Sequence, residues 1–87
     1  MLLYEDKIFK IMRDNRDYIL IRKNLPYSHH AHFRKLSGAK LIITLFNKQI
    51  IPRRRYFIES MRRITTEDEY LTFRRQKTKQ KYYNKQQ

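Results

Sequence analysis

Leu41-Ile42-Ile43-Thr44-Leu45-Phe46 is the longest apolar stretch of this 87-residue chain, and its reading decides the fold. As a strand it completes a small antiparallel sheet; as a helix it joins a helical half of the molecule. Ile42-Ile43-Thr44 is β-branched and follows Ser37-Gly38, where a hairpin turn would fall, which favours a strand. Leu41, Ile42, Leu45, Phe46 and Ile50 also fit one helical stripe, and periodicity alone does not separate the two over so short a run. The strand is the reading taken forward.

Working back from there, His29 to Lys35 reads as the preceding strand, with His30, His32 and Arg34 on one face and Ala31 and Phe33 on the other. Pro26 separates it from Tyr18-Ile19-Leu20-Ile21-Arg22, a short aromatic and β-branched run suited to a strand. Tyr4, Ile8, Ile11 and Met12 form a stripe at helical spacing, opposed by Asp6, Lys7, Lys10, Arg13 and Asp14. That pattern predicts a first helix, ended in Asp14-Asn15-Arg16-Asp17 by an asparagine able to take the left-handed conformation. Working forward, Pro52 suits a helix's first turn. A helix from about Arg53 to Arg63 would turn Phe57, Met61 and Ile64 inward and Arg55, Glu59, Arg62 and Arg63 outward. Thr66 with Glu69 spells a capping box, and Glu67 and Asp68 complement the dipole of a last helix carrying Tyr70 and Phe73. From Lys77 the chain is polar and basic, a composition expected to stay disordered until it meets a partner. The expectation is a small α+β domain over residues 1–76, ordered αβββα, with a three-stranded antiparallel sheet, helices packed on one face, and a basic tail over residues 77–87.

Charge narrows the function. The chain carries 21 lysines and arginines against 8 acids, a net +13. From Tyr18 to Ile58 there is no carboxylate, while the same stretch holds all three histidines and nine of the lysines and arginines. Such a surface cannot neutralise itself and is suited to a polyanion, most often nucleic acid, because each cation laid on a phosphate releases a condensed counterion. Without cysteine, neither a disulfide framework nor a Cys-based zinc site can form. The start, Met1-Leu2-Leu3-Tyr4-Glu5-Asp6, has no basic region before an apolar run, unlike a secretory signal. The longest apolar stretch is far short of the ~20 residues that span a bilayer. A soluble cytoplasmic protein, with no membrane contact, is expected.

Arg53-Arg54-Arg55-Tyr56-Phe57 is the strongest binding candidate, since a helix opening on three arginines can present forked guanidiniums to phosphate. Arg22, His30, His32, Arg34, Lys35 and Arg62 extend the candidate surface, and Lys77, Lys79 and Lys81 add the tail. His30 and His32 share a strand face and could ligate one ion, but no carboxylate or cysteine is near in sequence, so no metal and no cofactor is assigned. Of the acids Glu59, Glu67, Asp68 and Glu69, helix capping accounts for the last three.

The order helix–strand–strand–strand–helix, with a histidine pair opening the second strand, resembles the HicA-type mRNA interferases, small toxins with a double-stranded-RNA-binding-like fold. The resemblance runs from about Lys7 to Leu71. It is carried by Tyr18-Ile19-Leu20-Ile21-Arg22, by Ser28-His29-His30 as the family's Ser-His element, by Phe33-Arg34-Lys35, and by Leu41-Ile42-Ile43-Thr44. The helix after Pro52 and Ile64-Thr65-Thr66-Glu67-Asp68-Glu69-Tyr70-Leu71 complete it. Tyr27 stands where the family usually has glycine, and Leu45-Phe46 replaces its Pro-x-His. The resemblance implies a metal-independent endoribonuclease with His29 as the catalytic histidine and a small acidic protein as partner. An imidazole could take the 2′-hydroxyl proton, while Arg22, Arg34 or Lys35 could stabilise the phosphorane.

Two other classes stay open. If Ala39 to Ile50 is a helix, then with the turn Asn47-Lys48-Gln49 and the helix 53–63 it would resemble a helix-turn-helix, with Arg54, Arg55 and Arg62 reaching DNA. A non-catalytic basic subunit or inhibitor docking on a ribosome or nuclease complex fits the same charge.

Overall fold

The Asp6 carboxylate turns the chain back where the apolar stripe predicts a helix. Its Oδ1 accepts from the amides of Ile8 and Phe9 at 2.8 and 2.7 Å, and its Oδ2 accepts from the Tyr4 hydroxyl at 2.6 Å. Such local side-chain bonds offer the backbone an alternative to helix. These hydrogen bonds outweigh the opposing effect of burial and hold the Asp6 carboxyl below its ordinary range. The result is a hairpin of β1 (Leu2–Glu5) and β2 (Phe9–Arg13), not the expected first helix. The coordinates form a computed structural model that describes the backbone of residues 1–84 and the side chains of residues 1–76.

The sheet then continues as the sequence reading expects. Strand β3 (Tyr18–Arg22) pairs with β2, and β4 (His30–Phe33) pairs with β3, all antiparallel in the order β1-β2-β3-β4. Register sets Ile11, Leu20 and Ala31 in line across three strands, and Lys10, Ile21 and His30 in the next row. Strand β4 ends at Phe33, so Arg34 lies beyond it, in the bend before the next element.

Leu41–Phe46 is helical, which overturns the strand reading. It lies within α1 (Leu36–Asn47), whose buried residues are Ala39, Ile42, Ile43 and Phe46, at the spacing of one helix face. Burial of that stripe outweighs the β preference of Ile42-Ile43-Thr44. Gly38 therefore sits in the first turn of a helix rather than in a hairpin. The helix ends in a Schellman motif: Gln49 N–H donates to Phe46 O at 3.0 Å and Ile50 N–H to Leu45 O at 2.9 Å, with Gln49 at a φ of 58°.

Two helices follow, α2 (Arg55–Ile64) and α3 (Glu67–Asn84). The expected capping box forms between them, with Thr66 N–H donating to Glu69 Oε1 at 2.8 Å and Glu69 N–H to Thr66 Oγ1 at 3.2 Å. The small α+β fold thus has four strands followed by three helices, in place of the expected αβββα. The tail expected from Lys77 begins within the helical backbone of α3, and its side chains lie outside the described residues.

One buried cluster joins Phe9, Ile11, Leu20, Ala31 and Phe33 of the sheet to the α1 stripe, Met61 and Ile64 of α2, and Phe73 of α3. Phe46 is its joint, meeting Phe9 at 4.9 Å and Phe73 at 5.5 Å between ring centroids. The alternate sheet residues Lys10, Met12, Ile21, His30 and His32 stay outside it. No helix among the described residues is long and apolar enough to cross a membrane.

Candidate nucleic-acid interface

Phe57 stands between two surface grooves. One, of about 530 Å³, lies between Phe33 and Gly38 on one side and Tyr56 and Phe57 on the other, with Arg34 and Lys35 on its rim. The second, of about 430 Å³, runs from Leu41 and Leu45 past Pro52 to Phe57, with Arg53 and Arg54 on its rim. The sequence builds this by placing Arg34-Lys35 in the bend between β4 and α1, and Arg53-Arg54 just before α2. Only Arg55 of the three arginines lies within α2, with Arg54 at its N-cap and Arg53 before it, later than the expected start at Arg53, while Tyr56 and Phe57 follow in its first turn.

Arg34, Lys35, Arg53, Arg54 and Arg55 are all exposed, and among the described residues none makes an ion pair or a side-chain hydrogen bond. Helix α2 has no acidic residue in its first turn and no side-chain cap. Cations at the positive end of a helix dipole are unfavourable by about 0.3–1 kcal/mol each at a surface. The fold therefore carries an arrangement that costs stability and that a bound anion would relieve. Two acids elsewhere are engaged internally. Glu5 pairs with Lys23 at 2.7 Å, which holds its carboxyl below the ordinary range, and Asp17 meets His32 Nδ1 at 3.2 Å.

Tyr56 is the residue of this site that charge reasoning leaves in the background. It is 53% exposed, yet its hydroxyl donates to the His32 carbonyl at 2.9 Å and its ring meets those of Phe33 and Phe57 edge-on. The available signal was its place directly after three arginines, the interleaving of aromatic and basic residues used by single-strand binders.

The other candidate residues separate. Arg22 turns inward, its side chain 11% exposed, and binds both oxygens of Glu69 at 2.8 and 2.7 Å. Its Nη1 also donates to Ile64 O at 3.0 Å, its guanidinium lies 4.9 Å from the Phe46 ring centroid, and its Nε finds no acceptor. Arg62 is exposed and lies over the Tyr70 ring at 5.0 Å, away from the grooves' lining. His30 stacks on Tyr27 at 4.4 Å, meets His32 at 5.1 Å, and places Nδ1 on the Tyr27 carbonyl. The fold brings Asp17 to His32, a carboxylate that is remote in sequence. Even so, no three His, Cys, Asp or Glu side chains group to hold a metal ion among the described residues. His29 Nδ1 lies 3.0 Å from the Arg63 carbonyl, which can only accept, so Nδ1 carries a proton, and in the neutral ring Nε2 is the acceptor. Lys77, Lys79 and Lys81 lie outside the described side chains.

Compared with known protein families, curated proteins and solved structures, the chain matches none.

Proposed function

We propose that this chain is a nucleic-acid-binding protein, RNA ahead of DNA, whose contact surface is the pair of grooves that meet at Phe57. The observation that carries the reading is the gathering of four exposed cations, Arg34, Lys35, Arg53 and Arg54, without internal partners among the described residues, around those grooves, with Arg55 next in the chain. A phosphate backbone supplies the missing charge, and the released counterions supply the affinity. In this reading the helices pack on one face of the sheet, and the other face, with Lys10, His30 and His32, adds a polar flank. RNA is put ahead because the linker between α1 and α2, residues 48–54, is longer than the ~3–4-residue turn of a helix-turn-helix. The test is a fluorescence-anisotropy titration of the purified chain with RNA and DNA oligonucleotides over a series of salt concentrations. A steep linear fall of log K with log salt is expected; affinity that ignores salt would overturn the reading.

A second reading, metal-independent RNA cleavage, rests on His29. Its imidazole is anchored by the Arg63 carbonyl with Nε2 as the basic nitrogen, the form a general base requires. The αβββα order implied by the HicA resemblance is not the order found, so this reading stands on the imidazole alone.

A further inference from the structure

We propose that the groove between Phe33 and Tyr56 is a stacking site for an unpaired base, so that the nucleic acid this protein prefers is single-stranded. The inference rests on the nucleic-acid reading above and names the form of the ligand. At about 530 Å³ the groove falls within the ~300–1,000 Å³ of small-molecule clefts. Its walls are aromatic and its rim is cationic, which is the chemistry of a nucleotide: a flat π-face joined to an anion.

Tyr56 is the platform. An exposed ring that rotated freely would lose that freedom on binding, which lowers affinity. Here the ring is fixed before the ligand arrives. Its hydroxyl is held by the His32 carbonyl at 2.9 Å, and Phe33 and Phe57 brace it at centroid distances of 6.1 and 5.4 Å. Both neighbours meet it nearly perpendicular, at 79° and 81°, so no described ring lies parallel to it. A base can supply that parallel partner.

Gly38 keeps the floor open. A Cβ there would stand 3.1 Å from Phe33 Cδ1 and 3.6 Å from Phe57 Cε1, so any side chain at this position would reach into the space between the rings. Duplex nucleic acid cannot use the site, because its bases already stack on each other and offer no free face. It can reach only Arg34, Lys35 and Arg53 to Arg55 through phosphates. Stacking one base on an aromatic side chain corresponds to about 5- to 150-fold in Kd.

The experiment measures Kd by anisotropy at fixed salt for three probes: an unstructured RNA oligonucleotide, the same strand with abasic positions, and the matching duplex. Each is titrated with wild type, Tyr56→Leu and Tyr56→Phe. Wild type is expected to bind the unstructured strand about tenfold or more tighter than the duplex, and to bind the abasic strand like the duplex. Tyr56→Leu should remove that preference without weakening duplex binding, while Tyr56→Phe keeps most of it. Equal wild-type affinity for all three probes, or equal weakening of strand and duplex by Tyr56→Leu, overturns the stacking site but leaves the phosphate surface standing. Absence of salt-dependent binding to any probe overturns the nucleic-acid reading as well. Should Tyr56→Leu fail to fold by circular dichroism, the wild-type comparison of the three probes decides.

Discussion

Arg22 and Glu69, 47 positions apart in sequence, lock β3 to α3 through two parallel hydrogen bonds at 2.8 and 2.7 Å. The same Glu69 accepts from Thr66 N–H, so one carboxylate both caps α3 and ties it to the sheet. Arg22 in turn lies against Phe46 and holds the last carbonyl of α2, Ile64 O. One fork therefore joins four of the seven elements. It also takes Arg22 out of competition for phosphate.

Loss of this fork is expected to cost stability without costing affinity. With side chains 11% and 30% exposed, Glu69→Ala leaves a guanidinium largely buried and unpaired, and about 2–3 kcal/mol is expected to be lost. Hydrogen bonds from Arg22 outweigh burial and hold the Glu69 carboxyl below its ordinary 4.5. A depressed acid stabilises the fold above its unfolded pKa, and that contribution disappears as pH falls through the lower folded value. Thermal melting followed by circular dichroism should therefore show Tm falling on acidification below about pH 4.5, with a flatter profile for Glu69→Gln. Wild-type stability in Glu69→Ala would show that the fork is dispensable.

Replacing Arg53, Arg54 and Arg55 together with Gln should weaken binding to single strands and lower the salt slope by about 2 units, at ~0.7 per phosphate neutralised. Because all three are exposed and unpaired among the described residues, Tm should hold or rise slightly as repulsion at the α2 N-terminus is relieved. A slope equal to wild type would place the phosphate contacts on another surface.

What the sequence revealed and concealed follows one physical line. Strands β3 and β4, helix α2 and the Thr66–Glu69 box were legible because local pattern and final burial agree there. Tyr4, Ile8, Ile11 and Met12 happened to fit a helical stripe, while the signal for a hairpin was Asp6, whose carboxylate can bond the amides two and three residues on. Leu41–Phe46 misled for the opposite reason: its local β preference was overruled by the tertiary burial of Ala39, Ile42, Ile43 and Phe46. At the site, the basic run was visible but its geometry was not. Nothing in the sequence shows that Arg22 would be used internally, or that Tyr56 would reach the backbone of β4.

His29→Ala separates a structural role from a catalytic one. The bond from its Nδ1–H to the Arg63 carbonyl ties the segment before β4 to the end of α2, and its loss should cost about 1 kcal/mol. RNA affinity should be nearly unchanged, since neither groove is lined by His29. Wild type and variant are then incubated with RNA in the presence of EDTA. Cleavage by wild type that drops ~10²–10⁴-fold in His29→Ala would establish the general-base reading; intact RNA in both would remove it.

Gln49→Gly should stabilise the protein. Gln49 takes a φ of 58° at the position after the α1 C-cap, where glycine pays no Cβ penalty. Left-handed backbone costs an ordinary residue about 1–2 kcal/mol, against roughly 0.5–1 for the extra freedom glycine loses on folding. A net gain of about 0.5–1 kcal/mol is expected from urea unfolding, with an unchanged m-value. A loss would mean that the Gln49 side chain holds the α1–α2 linker in place.

Gly38→Ala sets two effects of similar size against each other. Gly38 lies in the first turn of α1 at ordinary helical backbone, so alanine gains about 0.5–1 kcal/mol in helix propensity. Its Cβ would approach Phe33 Cδ1 to 3.1 Å, and the 2%-exposed Phe33 ring would have to shift by a few tenths of an ångström. Overpacking a filled core costs about 1–3 kcal/mol, but here the ring borders the groove and can yield towards it. The two terms should nearly cancel, leaving stability within about 0.5 kcal/mol of wild type. The shift narrows the space beside Tyr56, so affinity for the unpaired strand should fall while duplex affinity holds. Gly38→Val, bulkier and β-branched, should lose both stability and strand preference. If Gly38→Ala instead gained the full helix term and bound both forms as wild type does, the groove floor would not be where the base sits.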